Sequence, residues 1–225
     1  MTVQPGTGLA ILGGAVSAKL IEKILGPTAD YLGEGLRHWA EKRVRNVRRI
    51  FEYAAAKLGG RIEQPGAVPP KVLKGILQEG AFCEDELSAQ YFGGVLASSR
   101  SQVSRDDRGA AFISLISGLS TYQIRSHFIF YYLFKDIFNG ESLSPVLAKD
   151  RTEMQIFIPF SVYCPAMDFS EKEIPNLIVG HAVFGLFKES LIGASCRYGS
   201  VEHLQKAWQE ADSPGILVGP SSLGV

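Results

Sequence analysis

The stretch Gly26–Ile62, GPTADYLGEGLRHWAEKRVRNVRRIFEYAAAKLGGRI, decides the fold class. Leu36, Trp39, Ala40, Val47, Ile50, Phe51, Ala54 and Leu58 recur at three- and four-residue spacings, with Arg43 the charged exception in the series. That period places one apolar stripe along an α-helix over residues 36–58. Pro27 suits a first helical turn and Asp30 can cap it. Gly59-Gly60 supplies the stop, because glycine enters the left-handed cap without a steric cost. Residues 33–62 carry eight Lys/Arg against three Glu, a local charge of +5 in a chain whose formal net charge is zero, so the remainder carries −5. The simplest reading is a solvated basic face lying on a mildly acidic body. The sharper one is a surface for phosphates or lipid headgroups, whose cation set is Arg37, Lys42, Arg45, Arg48 and Arg49.

Working outward, 225 residues suffice for one large domain or two small ones. A hydrophobic content of 46% with 20% charged residues excludes a disordered chain and fits a globular one. Zero net charge argues against a surface built wholly for nucleic acid, leaving only the local patch for that role. Cys83, Cys164 and Cys196 are odd in number and far apart, which suits a reducing cytoplasm better than a disulfide framework. No purely apolar run reaches 18 residues, so no membrane span is expected.

Residues 1–25 form the first organisational segment. Gly8–Ala18, GLAILGGAVSA, is small and apolar, lacks the basic start of a secretory signal, and is cut short by Lys19, Glu22 and Lys23. With LIEKILG it reads as an amphipathic helix that docks on the core, lies on a membrane surface through residues 8–25, or pairs with another helix over its small residues. Residues 26–140 read as a helical domain. After a Pro-rich linker, Val72, Leu73, Ile76 and Leu77 face inward from a helix begun by Pro69-Pro70. Glu84-Asp85-Glu86 caps the next helix, whose apolar set is read as Leu87, Tyr91, Val95 and Leu96. A further helix runs to Gly118. TYQIRSHFIFYYLFKDIF, capped by Ser120 or Thr121, is greasy enough to be expected buried on all sides, with His127 a hydrogen-bonded core or boundary residue.

The periodicity changes after Asn139-Gly140, and residues 141–225 read as a small α+β lobe. MQIFIPFSVY is expected as a strand that Pro159 confines to an edge or bulge. FSEKEIPNLIVGHAVFGLFKESL gives a helix, IGASCRY a strand, SVEHLQKAW a short helix and GILVG a last strand. The fold expected is mainly α, a helical bundle with a small, winged-helix-like C-terminal lobe.

No catalytic or cofactor signature is present: there is no GxxxxGK[ST], HExxH or CxxC, and Gly33-Glu34-Gly35 lacks the preceding strand and third glycine of a dinucleotide site. No catalytic, cofactor or metal residue is assigned. His38, His127, His181 and His203 show no metal-ligand spacing. Cys164, His181 and Cys196 share the last lobe, where a Cys–His dyad is sterically open, although buried structural cysteines are far commoner.

In the order of its segments the chain resembles the bacterial abortive-infection alpha family, a domain of otherwise unknown function. The resemblance runs from about Gly26 to the end. It is carried by GPTADYLGEGLRHWAEKRVRNVRRIFEYAAAKL, VPPKVLKGILQEGAFCEDELSAQYFGGVLASS, FISLISGLSTYQIRSHFIFYYL and the closing ILVGPSSLG. It implies a role in defence against phage by halting or killing the infected cell, and brings no catalytic residues. The expected function is therefore a non-enzymatic, cytoplasmic or membrane-associated defence protein that acts through itself, another protein or a membrane. The competing expectation is a nucleic-acid-binding module using the basic helix over 36–58.

Overall fold

A computed structural model describes Lys23, residues 41–103 and residues 105–224, the side chains of Glu41 and Lys42 excepted. The expected N-terminal helix, the Asp30 cap, Arg37, His38 and the stripe members Leu36, Trp39 and Ala40 lie outside the described residues. The chain divides into two compact units, the first ending at Gly118 and the second beginning at Leu119.

In the first unit, α1 (Glu41–Leu58) buries Val47, Ile50, Phe51, Ala54 and Leu58 of the expected stripe, and Val44 is buried where the stripe had placed the exposed Arg43. A 3-10 turn, Gly59–Glu63, follows, and Gly59 takes φ +51 there. Pro70 opens α2 (Pro70–Glu79), which buries Val72, Leu73, Ile76 and Leu77 as expected. Asp85 caps α3 (Glu86–Ser99), its carboxylate accepting from the Ser88 amide at 2.7 Å and from the Ser88 hydroxyl at 2.6 Å. Replacing Asp85 with Ala is expected to cost about 1 kcal/mol in denaturant unfolding, with Asn restoring most of it; an unchanged midpoint would show that the cap carries no weight.

The buried face of α3 differs from the sequence reading. Ser88, Ala89, Phe92, Gly93, Leu96 and Ala97 are inward, while Leu87, Tyr91 and Val95 are only half-buried. The inward face is set by the close approach of α1 and α3 at Gly93. A Cβ there would lie 2.6 Å from the Tyr53 Cβ and 3.0 Å from the Ile50 carbonyl oxygen. The first unit closes with α4 (Gly109–Gly118).

The second unit starts at α5 (Thr121–Ile137), where Ser120 and Gln123 form a capping box. This helix joins the C-terminal elements, so the unit begins before the composition change at residue 140. It is not buried on all sides: Phe128 and Tyr132 are 44% and 61% exposed. Its inner face carries Ile124, Ser126, His127, Phe130 and Phe134. A short helix absent from the sequence reading, α6 (Ala148–Glu153), leads to β1 (Ile156–Pro159). Six residues are too few to show a helical period.

The strand expected over MQIFIPFSVY is only its middle. Pro159 ends β1 and sits at the N-cap of α7 (Phe160–Met167), so Tyr163 turns inward from a helix. Its hydroxyl meets Ser126 Oγ at 2.6 Å and its ring stacks on Phe130. Then follow α8 (Pro175–Lys188), β2 (Arg197–Gly199), α9 (Val201–Leu204) and β3 (Gly215–Val218). The strand expected over IGASCRY shrinks to its end, because the chain turns at Gly193, whose carbonyl accepts the Cys196 amide. The sheet is antiparallel with order β1-β3-β2, and β1 is an edge, where Pro159 needs no ladder donor. The chain is thus mainly α with a small α+β C-terminal lobe, as expected, and the last strand lies at the centre of its three-stranded sheet.

Candidate interaction surface

The outward side of α8 exposes large apolar side chains among Asn176, His181 and Lys188. Its inner side buries Val179, Ala182, Val183 and Leu186. Gly185 admits the Gln123 side chain, and Gly180 leaves room for the Tyr198 hydroxyl, which a Cβ would meet at 3.0 Å. The outer side presents Ile174, Leu177, His181, Phe184 and Lys188, at successive spacings of three, four, three and four. Ile174, Leu177 and Phe184 are 61%, 69% and 70% exposed, and Phe187 beside them is also exposed. A helix normally turns such a seam toward a partner. Single exposed apolar residues need no explanation, but a continuous row marks a contact surface.

Next to Phe184 lies an open cavity of about 280 Å³ between α8, β2 and α9, lined by Val183, Phe184, Phe187, Cys196, Tyr198 and His203 among others. It brings Cys196 and His203 to one wall. Burial pushes the Cys196 thiol up to about 12, which favours its protonated form at neutral pH. Cys164 is likewise raised by burial, and Cys83 is pushed to about 11 by burial. His181 lines no wall of this cavity; its Nε2 lies 3.0 Å from Ser120 Oγ, at the cap of α5. His181 thus bonds Ser120 while Cys196 lines the cavity with His203. Among the described residues no group of three His, Cys, Asp or Glu could hold a metal ion. Among them too, no helix is long and apolar enough to cross a membrane.

Of the five basic residues of the polyanion set, the side chains of Arg45, Arg48 and Arg49 are among those described. Arg37 and the Lys42 side chain lie outside the described residues. Arg49 is half-buried and donates to the carbonyls of Cys83 and Glu84, both at 3.0 Å. Arg48 pairs with Glu52 at 3.5 Å, one turn on. Arg45 is exposed. Nearby, Arg43 lies 4.1 Å over the Phe82 ring and Asn46 donates to the Ala81 carbonyl. Much of the charge on α1 thus tethers the 80–86 segment inside its own unit.

Sequence reasoning missed the α8 surface. FSEKEIPNLIVGHAVFGLFKESL is apolar nearly all round, so its two sides could not be told apart. The only signal was the 174–177–181–184–188 spacing, overlaid on an equally apolar inner row. Compared with family models, curated proteins and solved structures, the chain matches none of them.

Proposed function

We propose that this chain works by contact: the outer face of α8 binds a protein surface, and the chain performs no bond-making chemistry. In the setting that the abortive-infection resemblance implies, this contact serves bacterial defence against phage. The observation that carries the reading is the exposed row Ile174, Leu177 and Phe184 beside an open cavity. Burial that raises the Cys196 thiol in this cavity adds support, because it favours the unreactive protonated form.

The nucleic-acid reading draws less support. A helix that enters a DNA groove needs cations and hydrogen-bond donors on its outer face. Here that face offers Lys188 and His181 among large apolar side chains. On α1, Arg48 and Arg49 are already engaged within the chain.

The test is protection of bacteria against phage by Leu177→Glu/Phe184→Glu. Each buried anchor contributes about 2 kcal/mol to an interface, so partner affinity should fall about a thousandfold and protection should be lost. Phe112→Glu, an exposed apolar position in the first unit, should protect like the wild type. Full protection by a folded Leu177→Glu/Phe184→Glu chain would overturn the contact reading, and no protection by the wild type would overturn the defence setting.

A further inference from the structure

The partner of α8 can be specified further, on the footing of the contact reading. We infer that the surface is self-complementary and that α8 pairs antiparallel with α8 of a second copy about a two-fold axis. Three observations carry this.

The spacing 174, 177, 181, 184, 188 is a heptad seam. In an antiparallel pair the alternating positions of one helix meet the complementary positions of the other. That register sets Ile174 against Phe184 of the second copy and Leu177 against His181 of the second copy. The Ile174–Phe184 layer and the Leu177–His181 layer each occur twice, as an isologous contact requires.

The cavity supplies the second observation. It opens beside Phe184 and Phe187, at the end of α8 where the incoming Ile174 would arrive. Its roughly 280 Å³ offers an apolar recess of the kind that receives an interface anchor.

Charge supplies the third. The chain entering α8 carries Asp168, Glu171 and Glu173 against Lys172, with Asp168 paired to Arg125 at 3.9 Å. The far end carries Lys188 and Arg197 against Glu189, which pairs with Lys188 at 3.4 Å. One end is net acidic and the other net basic. An antiparallel pair brings Lys188 of each copy to Glu171 of the other, whereas a parallel pair would stack like ends.

The experiment measures the solution mass of the full chain and of three variants by sedimentation equilibrium. The wild type should be a concentration-dependent dimer. Phe184→Glu should raise the dimer dissociation constant by about thirtyfold or more. Lys188→Glu should weaken the dimer, and adding Glu171→Lys to the same chain should restore it, because the swap re-forms both pairs at once. Geometry is read separately: a mixture of Ile174→Cys and Phe184→Cys chains should oxidise to the mixed disulfide, in preference to either self-linked product.

A wild type that stays monomeric at its highest soluble concentration would overturn self-pairing, as would a dimer indifferent to Phe184→Glu or preferential self-linking of Phe184→Cys. So would a chain whose α8 amides become exchange-accessible only when residues 1–22 are removed, since that segment would then be the occupant. A monomeric wild type whose Leu177→Glu/Phe184→Glu variant still loses protection refutes self-pairing and leaves the contact reading standing. A dimer broken by Phe184→Glu without loss of protection supports self-pairing and overturns the contact reading.

Discussion

Replacing Gly93 with valine is expected to destabilise the first unit by about 3 kcal/mol, because the added side chain has nowhere to go. Gly93 lies where α3 crosses α1. A Cβ there would stand 2.6 Å from the Tyr53 Cβ, 3.0 Å from the Ile50 carbonyl oxygen and 3.1 Å from the Ala54 nitrogen. Two of these three neighbours are backbone, so the clash cannot be relieved by a rotamer change; the helices must separate. Ile50, Phe51 and Ala54 are nearly or wholly sealed from water, and separation would reopen that core. Gly94 is the matched control: a Cβ there meets only the Lys57 side chain, at 3.5 Å or more. Gly94→Ala should be neutral or gain up to about 1 kcal/mol from helix propensity. Denaturant unfolding, followed by hydrogen exchange of the amides in residues 44–58, reads both variants. Equal midpoints for Gly93→Val and the wild type would mean that the two helices are not in close contact.

Acidification is expected to remove about 3 kcal/mol from the second unit between roughly pH 6.5 and pH 4, through His127. The ring is 8% exposed, stacks on Tyr131 at 4.4 Å and has its Nε2 3.1 Å from the Gly224 carbonyl oxygen. A carbonyl only accepts, so Nε2 carries the proton and donates. Burial, partly offset by this hydrogen bond, lowers the pKa from 6.5 to about 4. The unfolded chain therefore binds a proton near pH 6.5, while the folded chain resists it until about pH 4. Between those values the unfolded state holds more protons, so stability is complete above pH 6.5 and falls as pH falls. His127→Gln keeps a donor without titrating in this range, and should flatten the dependence. Unfolding of both proteins at pH 7, 5 and 4 supplies the comparison. Parallel slopes would contradict the buried neutral histidine.

These two sites show what the sequence could and could not disclose. The buried histidine was legible, because a lone His127 amid Phe128, Phe130, Tyr131 and Phe134 has few polar alternatives. The apolar stripe of α1 was legible from Val47 to Leu58 because Arg48, Arg49, Glu52 and Lys57 fall between its members, and contrast is what makes a period visible. The face of α3 was not, since Phe92-Gly93-Gly94-Val95-Leu96-Ala97 is apolar on every side and the decisive residue has no side chain. The same lack of contrast hid the working side of α8 and made α5 look buried all round. Pro159 was read rightly as an edge residue, yet its second role, starting α7, shortened the strand. The basic patch was legible as charge only. That Arg49 spends its donors on the carbonyls of Cys83 and Glu84 depends on a contact 34 residues away in the chain, which local spacing cannot reveal.

The claim that this chain acts through a surface, not through a reactive group, is tested most directly by one side-by-side phage-protection measurement. Cys196→Ser/His203→Gln removes the only thiol and imidazole that, among the described residues, line the cavity beside α8. Leu177→Glu/Phe184→Glu leaves them in place and spoils the apolar row. The expected result is that the first variant, whose replacements are close in size and leave the recess its shape, keeps protection while the second loses it, at equal thermal stability. Loss of protection in the first variant with retention in the second would contradict the account.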